Sequence, residues 1–419
     1  MKLNISNFSI IKQATIEING LTVIAGENDT GKSTIGKLLF AIIKASQKYE
    51  EDFKEDILPT KIMPKIVSIA SVLQPYEKNL GGKIIIRMLG LLNLDSKNSD
   101  EIRNEIKKFT IFIEELDITK KSKEEILNNI ESIKLIVNEN NSNDKLKQKQ
   151  KALKMALYSE FKKITNFDSF IKLEDRNQSI VEFSCDSNDL KNVFFKDDMD
   201  FDDITYIESP FVIQFRNMFL KAGTLLDPII KPAKETIPLH LKDLANKLKS
   251  PNNDIIKLID NEELIDISGK IATLIDGNFY YDKKQNDFIL KRNGLEIPSM
   301  NIASGIKSLG LLNTLLSSGI INSNRLLILD EPETNLHPKW QNKYAEILCK
   351  LVENDIKIIV ASHSPYMISA LEHYSKHISN KSFYWASRDE VGNSIFEDKT
   401  ETVMEDIIQR FANSFDEIY

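Results

Sequence analysis

Eight residues near the start of the chain, Gly26-Glu27-Asn28-Asp29-Thr30-Gly31-Lys32-Ser33, constrain what it can fold into more than any others. In the spacing G-x-x-x-x-G-K-S, Gly26 and Gly31 let successive backbone N–H groups turn inward around phosphates. Lys32 then reaches the β and γ oxygens of a nucleotide, and Ser33 offers a hydroxyl to Mg²⁺. Asn28, Asp29 and Thr30 in the loop and Thr34 on the next turn complete the expected nucleotide-binding set. The apolar run 21–25 enters the loop as a strand, and Ile35, Leu38, Leu39 and Ile42 leave it at helical spacing. A helix so placed points its positive end at the anion. With only 15 glycines in 419 residues, chance rarely builds this pattern in this order.

The carboxylates that such a loop needs lie far downstream. Leu326-Leu327-Ile328-Leu329-Asp330-Glu331-Pro332 reads as an apolar strand that stops abruptly on two acids. In phosphate-loop proteins that sheet edge is where metal and attacking water are held. Asp330 is therefore expected to hold Mg²⁺, directly or through water, and Glu331 to polarise the water that attacks the γ-phosphate. Strand 357–361 runs into Ser362-His363-Ser364-Pro365, which brings an imidazole to the same edge, able to donate to a γ-phosphate oxygen. Shortly before the carboxylate strand, Asn301-Ile302-Ala303-Ser304-Gly305-Ile306-Lys307-Ser308-Leu309-Gly310 opens another helix. Its Ser304 and Gly305 form a second anion-facing end. Catalytic expectations thus fall on Lys32, Glu331 and His363, and metal-holding ones on Ser33 and Asp330.

The ordered set G-E-N-D-T-G-K-S, A-S-G-I-K-S-L-G, L-L-I-L-D-E-P and A-S-H-S resembles the ABC-type ATPase heads. It looks most like the stand-alone bacterial heads of RecF, of the overcoming-lysogenization-defect (OLD) proteins, and of the Septu and retron defence ATPases. The resemblance covers residues 1–45 and 279–400. It implies an α/β P-loop NTPase fold, an ABC-type head carrying a helical insertion, with ATP and Mg²⁺ as its cofactors. It also implies a homodimer, or a higher even oligomer, in which two heads clamp ATP, one offering Lys32, Ser33, Asp330, Glu331 and His363, the other Ser304 and Gly305. The chain departs from transporter heads by having Thr334-Asn335-Leu336-His337-Pro338 where those carry Ser-Ala-Leu-Asp. Ile306 also stands where they usually place a polar residue. The glutamine of the switch loop has two candidates, Gln74 and Gln214, the second nearer a strand end.

Residues 50–166 are rich in Lys, Glu, Asn and Ile, which predicts a mainly helical insertion with a charged surface. Ile126, Ile130 and Ile133 mark one helix, Leu146, Leu153, Leu157 and Phe161 another, and the polar stretch 138–143 separates them as in a helical hairpin. Helices of that size reach about 25–30 Å, which suits a lid or docking arm rather than a long tether. The expected order is 1–48 for the first part of the head, 49–178 for the insertion, 179–275 for short strands and a second helical segment, and 276–419 for the rest of the head.

Resemblance to the OLD proteins raises the question of a Toprim nuclease, whose chemistry needs an Asp-x-Asp pair. No such pair follows His363. Any effector, nuclease or toxin, is expected to be a separate polypeptide. The series Lys145, Lys147, Lys149, Lys151, Lys154, Lys162, Lys163 has little aromatic interleaving and reads as a solvated helix face rather than a nucleic-acid track. The net charge of −7 leaves nucleic-acid contact open, including contact through a partner. Cys185 and Cys349 are too few for a disulfide framework. The absence of a signal core or of any apolar run near ~20 residues predicts a cytoplasmic protein without membrane contact. These readings converge on a regulatory ATPase of an anti-phage defence complex. A DNA repair or recombination ATPase that binds DNA directly is the alternative, followed by a nucleotide-locked scaffold with little turnover.

Overall fold

A computed structural model describes residues 1–49, 63–76, 99–140, 145–162, 168–186, 189–196, 199–222, 237–248 and 262–411. The chain divides into two compact units, one of residues 1–53, 148–225 and 235–419, the other of residues 54–147 and 226–234.

The larger unit opens with strands β1 (Lys2–Phe8), β2 (Ile11–Glu17) and β3 (Leu21–Gly26), followed by helix α1 (Lys32–Gln47). The smaller unit contains helices α2 (Met63–Leu73), α3 (Ser99–Glu115) and α4 (Lys120–Asn140). Its core is Ile66, Ile69, Leu73, Ile106, Phe109, Ile113, Ile126, Ile130 and Ile133. The chain then runs through α5 (Lys145–Phe161), β4 (Ser169–Asp175), β5 (Gln178–Asp186), β6 (Asp189–Phe195), β7 (Asp203–Ile207), α6 (Val212–Lys221), α7 (Leu239–Lys247) and α8 (Glu262–Ile275). It continues with β8 (Asn278–Asp282), β9 (Asp287–Arg292), β10 (Leu295–Pro298), α9 (Ser304–Ser317), β11 (Arg325–Asp330), α10 (Pro338–Glu353), β12 (Lys357–Ser362), α11 (Pro365–Tyr374), β13 (Lys381–Arg388), β14 (Ser394–Asp398) and a short π-helical segment, Val403–Ile408.

The expected hairpin takes another form. The isoleucine stripe of α4 closes on α2 and α3, while residues 148–161 of α5, with Leu153 and Leu157 buried, belong to the larger unit. Of the basic series, Lys145 to Lys154 lie on α5 and are likewise not uniformly solvated, and Lys163 lies outside the described residues. Lys149 is buried with its ammonium over the rings of Tyr49 and Phe195, and Lys154 pairs with Asp189.

Eleven strands form one sheet in the order β6-β5-β4-β1-β2-β14-β13-β3-β12-β11-β7, and β8, β9 and β10 form a small second one. Strands β7, β11, β12, β3 and β13 are mutually parallel. Every residue of β3 is buried, as is nearly all of β11 and β12, which is the continuous apolar pattern of strands covered on both faces. The wing β2-β1-β4-β5-β6 is antiparallel, and β2 alternates buried with exposed residues as a half-covered strand does.

Two elements differ from the sequence reading. β4 lies within residues assigned to the insertion, yet it pairs with β1, Leu3 opposite Leu173 and Ile5 opposite Ile171. The sequence suggests a short strand pair over residues 382–386 and 394–397; the structure puts these strands, β13 and β14, into the main sheet. β13 enters the parallel core beside β3, and β14 pairs with β2, so together they join core to wing. Among the described residues no helix is long and apolar enough to cross a membrane.

Candidate active site

Because the five core strands are parallel, the segments that follow them all emerge at one sheet edge. That edge carries the loop 26–31, Glu208, Asp330 with Glu331, His363 and Arg388. Loop geometry rests on its glycines. Gly26 has φ 156, and a Cβ there would stand 2.4 Å from the carbonyl oxygen of Ala386 on β13. Gly31, with φ 84, is the N-cap of α1, and no side chain caps that helix, so its first N–H groups face the loop. Asn28 and Asp29 are exposed at the crest, Thr30 is buried and donates to the Glu27 carbonyl at 2.8 Å, and Ser33 and Thr34 sit half-buried on the first turn of α1. Lys32 is folded into the curl of its own loop, donating to the carbonyls of Gly26 at 2.9 Å and Glu27 at 2.5 Å. Burial lowers its pKa, opposed by the carboxylates of Glu331, Asp330, Glu333 and Glu27. Arg388 closes over the crest, its guanidinium donating to the Asp29 carbonyl at 2.8 Å and pairing with the Asp29 carboxylate.

Asp330 is buried, and Tyr206 of β7 donates to its Oδ2 at 2.5 Å. Burial raises the pKa of this carboxyl, while Tyr206 and the adjacent Ser33 favour its charged form. Its Oδ1 is buried without a hydrogen-bond partner among the described residues. A hard carboxylate oxygen left unmatched beside a serine hydroxyl fits a Mg²⁺ shared with nucleotide phosphates. Glu331 occupies a left-handed backbone position, φ 49, with its N–H bonded to the Ala361 carbonyl at 2.8 Å. Its Oε1 lies 3.1 Å from His363 Nδ1, in ion-pair range but off the hydrogen-bond direction. Both side chains are partly open to solvent.

Glu333 went unrecognised in the sequence. It is buried, and its Oε1 accepts from Ser362 Oγ at 2.7 Å, His363 N at 2.9 Å and Ser364 N at 3.2 Å. It therefore ties the turn after β11 to the histidine turn after β12. Ser364 caps α11 with Pro365 behind it, and donates to Gln341 of α10 at 2.6 Å. The signal for Glu333 was its place two residues beyond Glu331; nothing in periodicity announces it. Tyr206 was equally hidden, because only strand pairing brings β7 beside β11.

Ser304 and Gly305 begin α9, whose N-cap is Ala303 and which no side chain caps. A Cβ on Gly305 would stand 2.9 Å from Leu336 Cδ2, so this glycine also permits close packing on the turn after Glu331. Among the described residues neither forms a hydrogen bond with the loop 26–34. Gln214 on α6 accepts from Lys307 of α9, while Gln74 lies in a short 3-10 turn of the smaller unit.

A parallel sheet with a glycine loop at a helix N-terminus, and two acids ending the second strand over, defines a P-loop nucleotide-binding head of the ABC type. The chain matches the AAA ATPase domain family over residues 1–368 and belongs to that family. It is 28% identical over 152 residues to the retron Vc95 probable ATPase of Vibrio cholerae, a match covering 33% of this chain and 29% of that one. It is 41% identical over 58 residues to the Old nuclease of Escherichia phage P2, covering 14% and 9% respectively. The chain spans between 9 and 29% of the length of the curated relatives it matches. The SMC head domain from Thermotoga maritima aligns over 95% of this chain and 97% of its own, at 10% identity and a TM-score of 0.39.

Proposed function

We propose that this chain hydrolyses ATP with Mg²⁺ at the carboxyl edge of its parallel core, and that two copies complete each site. One observation carries the reading: Lys32, Ser33, Asp330, Glu331 and His363, read separately from the sequence, emerge from neighbouring strands at one edge. Lys32 leaves the Gly26 and Glu27 carbonyls for phosphate oxygens, which are stronger acceptors because they are charged. Bound Mg²⁺ supplies charge neutralisation across the phosphates, held by Ser33 and Asp330. Glu331 orients and deprotonates the attacking water, and His363 donates to the γ-phosphate. Asn28, Asp29, Thr30 and Thr34 line the nucleotide, and the uncapped start of α9 brings Ser304 and Gly305 to the phosphates of a second copy.

The biological setting we infer is a defence complex in which ATP-driven pairing of heads holds or releases a separate effector. One relative is named a retron ATPase and another a nuclease, which suits an ATPase that works beside a nuclease. Replacing Glu331 by Gln tests the chemistry. Phosphate release should fall by about 10²–10⁴-fold, the usual weight of a general base, while ATP binding persists and ATP-bound dimers accumulate on size exclusion. Unchanged turnover would overturn the assignment of Glu331. The setting is tested by pull-down of the tagged chain from cells that carry its neighbouring genes, with a stoichiometric second polypeptide expected.

A further inference from the structure

We infer that Tyr206 is the positioning residue for the Mg²⁺-holding carboxylate of Asp330, an inference that rests on the role proposed above for Asp330. Tyr206 lies opposite Ile328 in the parallel pairing of β7 with β11, two residues short of Asp330. Its side chain is fully buried, and its hydroxyl ties Asp330 Oδ2 at 2.5 Å. With that oxygen held, the carboxylate cannot turn about its own axis, and it presents the unmatched Oδ1 alone. Mg²⁺ demands near-octahedral geometry and keeps several waters, so a carboxylate restricted to one presented oxygen suits it better than one free to chelate.

The seat of the tyrosine ring is built for it. Gly36 lies inside α1, where glycine costs helix stability. A Cβ at that position would stand 2.6 Å from Tyr206 Cε2 and 3.1 Å from Ile328 Cγ2. The glycine makes room for the phenol between α1 and β11. Phe40, its ring centroid 6.3 Å away, and His240, at 4.9 Å, hem the same ring. His240 is itself held between Glu160 at 2.6 Å and Glu208 at 2.7 Å. The phenol thus has one seat, and the carboxylate one orientation. Groups that hold a metal ligand in place commonly change metal affinity about 10–100-fold when removed.

The test uses the full chain with a non-hydrolysable ATP analogue and Mn²⁺ as the probe, followed by electron paramagnetic resonance. Tyr206→Phe removes one hydroxyl and should raise the Mn²⁺ dissociation constant about tenfold. Nucleotide affinity measured without metal should be unchanged. In hydrolysis the Mg²⁺ concentration for half-maximal rate should rise while kcat at saturating Mg²⁺ is largely kept, a split that a general loss of fold would not produce. Gly36→Ala, which pushes the ring from its seat, should weaken Mn²⁺ binding in the same direction and add little when combined with Tyr206→Phe. Asp330→Asn separates the two layers of the argument. If it loses Mn²⁺ while Tyr206→Phe binds as the parent does, the positioning role is overturned and the site stands. If Asp330→Asn also binds Mn²⁺ as the parent does, the metal role of Asp330 falls, and that of Tyr206 with it.

Discussion

Glu333 shows how much a single residue can carry without touching substrate. One of its oxygens gathers three donors from the histidine turn, and the other is buried without a hydrogen-bond partner among the described residues. Glu333→Ala would leave the Ser362 hydroxyl and the His363 N–H without their acceptor, while Ser364 N keeps Ser362 Oγ at 3.1 Å, a loss of about 1–3 kcal/mol. It should also misplace His363. Chemical denaturation and phosphate release together check this: both stability and turnover should fall, whereas loss of stability alone would make Glu333 a purely structural tie. The residues that hold the site in place are the ones the sequence concealed. Gly26, Asp330 and His363 stand at or just past strand ends, where an apolar run breaks off on a residue of different chemistry, and Lys32 opens the helix that follows the glycine loop; such breaks are visible in one dimension. Tyr206 sits within an unbroken buried strand and Glu333 within a turn, and both act through neighbours that only folding supplies.

Between elements, the clearest device is His240 on α7, clasped by Glu160 of α5 and by Glu208 at the end of β7, with Lys37 of α1 3.5 Å from Glu208. Burial works to discharge the imidazole, but the two carboxylates outweigh it and raise its pKa above the ordinary 6.5. Glu208 is driven down to about 2, first by its hydrogen bond to His240. The sign follows by linkage. A raised histidine stabilises the fold fully below 6.5, and that contribution is lost as pH rises through its folded value. Glu208 contributes above its ordinary value of 4.5 and loses that contribution as pH falls toward 2. The melting temperature should therefore decline as pH rises above 6.5, and His240→Gln should flatten that limb in melts recorded across pH. An unaltered limb would place the pH dependence elsewhere. At this scale the sequence was a fair guide to strands and helices with strong periodicity, such as β3, α1 and β11. It misplaced β4 because a helix-rich, charged context masks a short alternating run, although Ile171 and Leu173 alternate with Phe170 and Lys172 as a half-covered strand requires. The helical hairpin failed for a related reason: two amphipathic stripes show that each helix needs a partner, not which one.

For the molecule as a whole, the proposal makes catalysis a property of two chains. A Lys32→Ala chain keeps its α9 terminus but loses its loop, and a Gly305→Glu chain does the reverse. Neither should hydrolyse ATP alone. Mixed in equal amounts, they should recover about a quarter of parental activity, since half of the random dimers are mixed and each holds one intact site of two. No recovery, with mixed dimers shown to form, would argue that each chain works by itself. A last consequence concerns how the molecule comes to be made. The phosphate-loop strand β3 is synthesised long before both of its neighbours, β12 and β13, which lie far downstream in the chain. During synthesis, six apolar-rich residues must wait with both edges unpaired, an invitation to mispairing that grows with the length of the wait. The long-range closure also makes assembly of the core slow, because the intervening chain must be drawn in before the pairing rewards it. Delayed pairing of β3 is therefore a point at which protection by chaperones would favour correct assembly.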